Sequence, residues 1–159
     1  MNKIDFTLLR ELLEYDPDTG NFFWKVGGTG RKIGAKAGTK RSDGYHYLTI
    51  NNKEYSAHRL AWLYMFNEWP DLHIDHINRV KNDNRLSNLR LVTTSQNFQN
   101  ITKPKGKNPY LGVYRYGSRW QSRIRHSGKN WSLGIFDTAE EARDAYLVAK
   151  NKHHTHAPI

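Results

Sequence analysis

His73-Ile74-Asp75-His76-Ile77-Asn78, then a polar loop, then Asn88-Leu89-Arg90-Leu91-Val92-Thr93-Thr94-Ser95-Gln96-Asn97 form the stretch on which the fold of this chain turns. Two short apolar runs flank a loop rich in Asn, Asp and Arg. Thr94 and Ser95 are both suitable caps for a helix that follows, because their hydroxyls can accept from otherwise unpaired backbone N–H groups. The spacing predicts a strand–loop–strand–helix unit of about 29 residues over 73–101. A unit that small is expected to leave the Asp75-His76 pair near solvent, in a cleft, and not deeply buried.

Upstream, apolar residues at 4, 8, 9, 12 and 13 predict a helix over 4–15, ended by the turn residues Asp16-Pro17-Asp18-Thr19-Gly20. Residues 22–26 read as a strand. Residues 45–50 and 54–57 read as two strands joined through Asn51-Asn52, a plausible hairpin turn. Residues 58–67 are apolar at helical spacing. Downstream, 103–109 is rich in Lys, Pro and Gly and reads as a linker. Strands are predicted at 112–116, 120–126 and 131–135, with turns at Gly117-Ser118 and Ser127-Gly128. Thr138 with Glu141 forms a capping box that opens a helix to about residue 150. Ala142, Ala145, Tyr146 and Ala149 give that helix a small-residue face for the sheet. The fold class is α+β: an N-terminal helix and small antiparallel sheet, the strand–loop–strand–helix core, and a C-terminal three-stranded antiparallel sheet packed on one helix.

Composition narrows the function. The 159 residues carry 25 Lys and Arg against 15 Asp and Glu, a net charge of +10. The hydrophobic fraction is 37%, below the roughly 45–50% of an ordinary globular domain. Two or three small modules therefore fit better than one large core. Aromatics at 13% rule out a simple disordered polycation. Cysteine is absent, which removes disulfides, thiolate zinc sites and thiol nucleophiles together. No apolar run approaches the ~18 residues of a membrane span. Met1 to Arg10 contains Asp5 and no continuous apolar run, unlike a secretion signal. These features suit a soluble intracellular protein. Acid-free basic runs occupy 25–41 (Lys25, Arg31, Lys32, Lys36, Lys40, Arg41), 103–107 and 110–135. Three such runs point to a surface that faces a polyphosphate, with nucleic acid as the default partner.

The pattern Asp75-His76-Ile77-Asn78, Asn88-Leu89-Arg90 and Ser95-Gln96-Asn97 closely resembles the HNH nuclease motif, the ββα-metal finger of phage and intron-associated homing endonucleases. His58-Arg59-Leu60-Ala61 resembles the helix preceding the motif in phage members. Phe22-Phe23-Trp24-Lys25 and the opening helix look like their N-terminal regions, so the resemblance covers roughly 4–101. It implies that His76 is the general base and that Asn88 is the middle asparagine bracing the loop. It also implies that Asp75 and Asn97 are the metal ligands, an H-N-N variant. The chemistry is compatible. A neutral imidazole, with an unperturbed pKa near 6.5, can take a proton from water at cellular pH. One carboxylate and one neutral amide oxygen suit a single Mg²⁺ or Mn²⁺ and leave room for waters and phosphate. Among Arg79, Lys81 and Arg85 in the motif loop, Arg85 is the candidate to stabilise the pentavalent phosphate. His73 shares Asp75's strand face and reads as a structural or DNA-contacting residue. His58 reads as a hydrogen-bonded packing residue. His153, His154 and His156 read as a frayed helix end.

The segments Tyr110-Leu111-Gly112-Val113, Leu133-Gly134-Ile135-Phe136-Asp137 and Ala145-Tyr146, with Trp120 and Arg125, resemble the DNA-binding domain of plant ethylene-response factors. In that family a three-stranded sheet lays one face in the major groove and a helix backs the other. Strand alternation puts Val113, Trp120, Ile124, Trp131 and Leu133 on the helix side. It puts Tyr114, Tyr116, Gln121, Arg123, Arg125, Asn130 and Ser132 on the DNA side. The family carries arginines where Tyr114 and Tyr116 stand, a tryptophan where Ser132 stands and a glutamate at Arg123, while Arg125 matches a family arginine. The fold therefore carries over better than any base preference.

The expected organisation is a DNA-contacting N-terminal region at 1–57, with Arg31, Lys32, Lys36, Lys40 and Arg41 as its DNA contacts. A nuclease core at 58–102, a linker at 103–109 and a DNA reader at 110–159 follow. The expected function is a metal-dependent, strand-nicking DNA endonuclease of the homing type. It would act on double-stranded DNA in the cytoplasm of a phage-infected bacterial host, with no membrane and no obligatory protein partner. The alternative is a DNA-binding regulatory protein whose nuclease module has decayed; the intact Asp75, His76, Asn88 and Asn97 argue against decay.

Overall fold

The computed structural model describes residues 3–99, 104 and 106–154. Among the positions singled out above, 101, Lys103, Lys105 and His156 lie outside the described residues. Helices and antiparallel sheets make up an α+β fold, and the chain divides into two compact units, Met1–Leu91 and Val92–Ile159.

In the first unit, helix α1 (Phe6–Leu12) is capped by Asp5, whose carboxylate accepts from the Leu8 N–H at 2.8 Å. The helix stops at Leu12, three residues short of the expected end. Leu13–Asp16 is instead strand β1, paired with β2 (Asn21–Trp24) in the register Leu13↔Trp24 to Asp16↔Asn21. The apolar spacing misled because Leu9 on the helix and Leu13 and Tyr15 on the strand are all buried in one core. Asp16-Pro17-Asp18-Thr19-Gly20 is thus a hairpin turn and not only a helix stop. A short β3 (Thr39–Lys40), not anticipated, pairs with β4 (His46–Ile50), which pairs with β5 (Lys53–Ser56). Asn51 and Asn52 turn that hairpin with φ of 50° and 59°, the left-handed pair that a tight two-residue hairpin requires. Helix α2 (Ala57–Phe66) ends on a left-handed Asn67. The core of this unit runs from Ile4 through Leu48, Ile50 and Leu60 to Leu89, taking residues from both sides of position 57. Strand β6 (His73–His76) and strand β7 (Leu89–Val92) form a two-stranded sheet, with a short 3₁₀ turn (Leu86–Asn88) entering β7.

In the second unit, helix α3 (Thr94–Gln99) is followed by a meander of β8 (Val113–Tyr116), β9 (Arg119–His126) and β10 (Lys129–Phe136). Helix α4 (Ala139–His153) backs this sheet. Its capping box is formed in both directions, Glu141 N–H to Thr138 Oγ1 and Thr138 N–H to Glu141 Oε2. Ala139, Ala142, Tyr146 and Ala149 are its buried residues, against Val113 and Ile124 of the sheet. Gly112 lets the chain pass under this helix: its φ is +75°, and a Cβ there would sit 2.1 Å from the Tyr146 ring. The end of α4 is docked, not frayed. His154 is buried and its Nε2 bonds the Arg125 carbonyl at 3.0 Å. Among the described residues no helix is long and apolar enough to cross a membrane.

Candidate functional site

Asp75 and His76 end β6, and the loop after them is held by its own polar side chains. The His76 carbonyl accepts from the Arg79 N–H at 2.9 Å, and Arg79 takes a left-handed φ of 63°. The amide of Asn88 spans the loop. Its Oδ1 accepts from the Asn78 N–H at 2.9 Å, and its Nδ2 donates to Asn78 Oδ1 at 3.0 Å and to the Asp83 carbonyl at 2.8 Å. The Ile77 N–H donates to the Asn88 carbonyl, continuing the pairing of the two strands. Asn88 is buried, so these bonds lie where lost partners would be costly.

His76 differs from expectation. Only 5% of its surface is exposed, so the base candidate is buried rather than open in a cleft. The ββα segment alone is too small to do this; residues from the preceding region supply the walls. The His58 ring from α2 meets His76 edge-on at 5.3 Å between centroids, and the Tyr45 ring lies 5.9 Å away. The Asn84 side chain closes a third side, with Oδ1 3.1 Å from His76 Nε2. His58 packs as expected but is not fully hydrogen-bonded: its buried Nδ1 has no partner among the described residues. Burial, then the neighbouring His76 and Arg59, push its pKa down to about 4, which keeps His58 neutral at cellular pH. Burial first, then the carboxylates of Asp43 and Asp75, push the Tyr45 hydroxyl up, so it stays a protonated donor.

The Asp75 carboxylate is 14% exposed and is held from β7 by Arg90, whose Nε lies 3.0 Å and whose terminal nitrogen lies 2.9 Å from Oδ2. Arg85 is engaged by Asp83 through two bonds of 2.7 and 2.8 Å. That pairing, aided by Asn78, holds the Asp83 carboxyl down at about 2. Lys81 donates to the Asp43 carbonyl and lies over the Tyr45 ring. His73 is exposed. Asn97 sits on α3 in the second unit with an exposed side chain. Among the described residues no cluster of three or more His, Cys, Asp or Glu could hold a metal ion. Asp75, His76 and Asn88 thus stand on adjoining elements of the first unit. Tyr45, Asn84 and Arg90 were not anticipated. Asn84 is one of four asparagines between 78 and 88, and nothing in the pattern distinguishes it.

Of the basic residues expected on the N-terminal surface, Lys32, Lys36 and Lys40 are exposed. Arg31 is half-buried, its guanidinium 4.4 Å over the Trp24 ring. Arg41 is ion-paired with Glu54, which offsets part of its charge.

In the second unit the register defines the open sheet face. Tyr114 stands opposite Gln121, Tyr116 opposite Arg119, Asn130 opposite Arg125 and Ser132 opposite Arg123. Tyr114, Tyr116, Arg123, Arg125, Asn130 and Ser132 are exposed, and Arg123 lies over the Tyr114 ring. Tyr114, Arg123, Arg125 and Asn130 border one cavity of about 380 Å³. On the other face Val113, Ile124 and Leu133 pack in the core clusters, with Trp120 half-buried beside them. Trp131 corrects the expectation: it pairs with the buried Ile124 but is 56% exposed. It keeps the phase of Ile124, since the bulge between Ser132 and Gly134 lies beyond it, and its place on the outer strand β10 near the 127–128 turn leaves it open.

Residues 55–99 match the family model described as HNH endonuclease. Among solved structures, one titled "DNA binding and cleavage by the HNH homing endonuclease I-HmuI" is similar, with 24% identity and a TM-score of 0.47. That match covers 63% of this chain and 57% of the other, little more than half of its length. None of the curated proteins matches the chain significantly.

Proposed function

We propose that the chain is a divalent-metal-dependent HNH endonuclease that hydrolyses phosphodiester bonds of double-stranded DNA at a recognised site. The observation that carries this reading is the Asp75-His76 pair at the end of β6, on a loop braced by Asn88, within the segment that matches the HNH endonuclease model. On this reading His76 accepts a proton from the attacking water. Asn88 holds the loop that follows the base. Arg85, released from Asp83, meets the developing charge on the phosphate. Asp75 and Asn97 would hold one Mg²⁺ or Mn²⁺. The donor set fits, since a carboxylate and an amide oxygen are hard ligands. Arg90 engages Asp75 at Oδ2, and a carboxylate has about four lone-pair sites in all. When bound, such an ion supplies charge neutralisation at the phosphoryl oxygens and at the leaving 3′-oxygen. One active site per chain cuts one strand per encounter, which favours nicking of the homing type. On the resemblance to phage proteins alone, the setting is the cytoplasm of an infected bacterial host. The test is conversion of supercoiled plasmid to nicked circles by the full-length chain with Mg²⁺ or Mn²⁺, and its loss in EDTA. Tight plasmid binding without conversion under either ion would favour the regulatory alternative.

The open face of the β8–β10 sheet is proposed to read the major groove in the manner of the ethylene-response-factor domain. Arg31, Lys32, Lys36, Lys40 and Arg41 are proposed to contact DNA from the first unit. Supporting the sheet's role is the row of Tyr114, Tyr116, Gln121, Arg123, Arg125 and Asn130 on one face. Arg125→Ala is expected to weaken binding by ~1–3 kcal/mol and to relax preference at one base position, as loss of a bidentate guanine contact would. Binding measured across a site library and a salt series checks this. A uniform loss across sequences, with the salt slope lowered by about one, would make Arg125 a phosphate contact instead.

A further inference from the structure

Asn84 belongs to no role assigned so far, yet it is 3% exposed and touches the base candidate directly. In the structure Oδ1 faces His76 Nε2 at 3.1 Å while Nδ2 faces the Asn82 carbonyl at 3.5 Å, and it is this arrangement of the amide that the inference takes up. An amide oxygen only accepts, so Nε2 must carry the hydrogen, and a neutral imidazole then has its lone pair on Nδ1. Asn84 is itself fixed from outside the HNH-matching segment. The Tyr15 hydroxyl on β1 donates to the Asn84 carbonyl at 2.7 Å, a buried bond. Burial, then Asp16 and Asp83, push the Tyr15 hydroxyl well up, so it remains a donor. The Leu86 N–H donates to the Pro17 carbonyl at 3.0 Å. Between them Gly20, at a φ of +72°, lies so close that a Cβ would sit 2.4 Å from Arg85 N and from the Asn84 carbonyl carbon. The hairpin of β1 and β2 thus grips the loop at 84–86 from three positions.

We infer that Asn84 is a positioning residue for the base, setting His76 in the tautomer with its lone pair on Nδ1, and that the N-terminal hairpin holds Asn84 in place to do so. This rests on His76 acting as the base under the proposed function. The arrangement resembles the general device in which the bond made by one imidazole nitrogen decides what the other can do. It also gives the β1–β2 hairpin, residues 13–24, a role in turnover that is separate from DNA contact.

The test is ¹⁵N NMR of histidine-labelled full-length protein with the imidazole neutral, the His76 signals being identified by their loss in His76→Ala. Wild type is expected to show a pyrrole-type Nε2 and a pyridine-type Nδ1 for His76. Asn84→Ala should give a tautomer mixture, and kcat for plasmid nicking should fall by up to about 10²-fold, as for a misplaced reacting group, with KM unchanged. Asn84→Asp keeps an acceptor at the same place and should restore the single tautomer and most of kcat. Tyr15→Phe, which keeps the ring and removes one bond, should shift both readouts in the direction of Asn84→Ala while the protein stays folded by circular dichroism. If Asn84→Ala fails to fold, Tyr15→Phe and Asn84→Asp carry the comparison. An Nδ1–H tautomer in wild type, or an unchanged tautomer in both Asn84→Ala and Tyr15→Phe, would overturn the inference. Wild-type protein that never nicks DNA but shows the Asn84-dependent tautomer would overturn the nuclease reading and leave the positioning contact standing.

Discussion

His76→Ala is expected to abolish turnover while leaving DNA binding within a few fold of wild type. A general base contributes ~10²–10⁴-fold to rate, and removing it takes away no charged contact to phosphate. Plasmid nicking under single-turnover conditions reads the first quantity, and gel-shift titration reads the second. Burial makes a control necessary. His76 fills a space between His58, Tyr45 and Asn84, so alanine leaves a cavity and a vacant acceptor on Asn84. His76→Gln keeps more of the volume and a donor toward Asn84, yet offers no base. Both variants should be equally inactive, with the glutamine variant melting nearer to wild type. Near-wild-type cleavage by either would move the base elsewhere, and His73, exposed two residues upstream, would be the next residue to replace.

Local signals predicted the elements that depend on local chemistry. Asn51-Asn52 supplies the two left-handed residues of a hairpin, and Thr138 with Glu141 closes a capping box. Alternation along β9 is clean because no bulge interrupts its pairing with β8. What failed was non-local. Leu13 continues the apolar spacing of α1, and only pairing with Trp24 makes it a strand residue. Trp131 obeys the alternation and is nonetheless exposed, since it stands on an outer strand near a turn. At the candidate site, Asp75, His76 and Asn88, singled out by the resemblance to the HNH motif, stand on adjoining elements. Their surroundings were not legible in the sequence: Tyr45 comes from the turn before β4 and His58 from α2, and Asn84 gains its contact by tertiary packing against Tyr15 and Gly20. The Asp75-His76 pair, expected near solvent in a cleft, is buried at His76 for the same reason, because walls from outside the small unit close over it. Arg90 is an ordinary polar strand position until β6 lies beside it and its guanidinium meets Asp75.

Asp75→Ala should lose ion-dependent cleavage more severely than Asn97→Ala. The two proposed ligands differ in charge: a carboxylate attracts a divalent cation, whereas an amide oxygen offers only its dipole. Lewis-acid stabilisation is worth several kcal/mol, and each ~1.4 kcal/mol is a factor of ten, so a loss of about 10²–10³-fold is expected for the carboxylate. Asn97 is exposed on α3, where water can replace an amide oxygen with less penalty. The pairing of Asp75 with Arg90 complicates the alanine variant, which also deprives the half-buried Arg90 of this carboxylate. Asp75→Asn separates the effects by keeping the shape and an acceptor while removing the charge. If the carboxylate serves as a ligand, Asp75→Asn should need far more Mg²⁺ to reach half-maximal nicking, while its melting temperature stays near wild type. If it serves only to fold the strand pair, both variants should melt lower and their Mg²⁺ requirement should match wild type. Wild-type nicking undiminished in EDTA would remove the metal mechanism and leave His76 and Arg85 to carry the reaction.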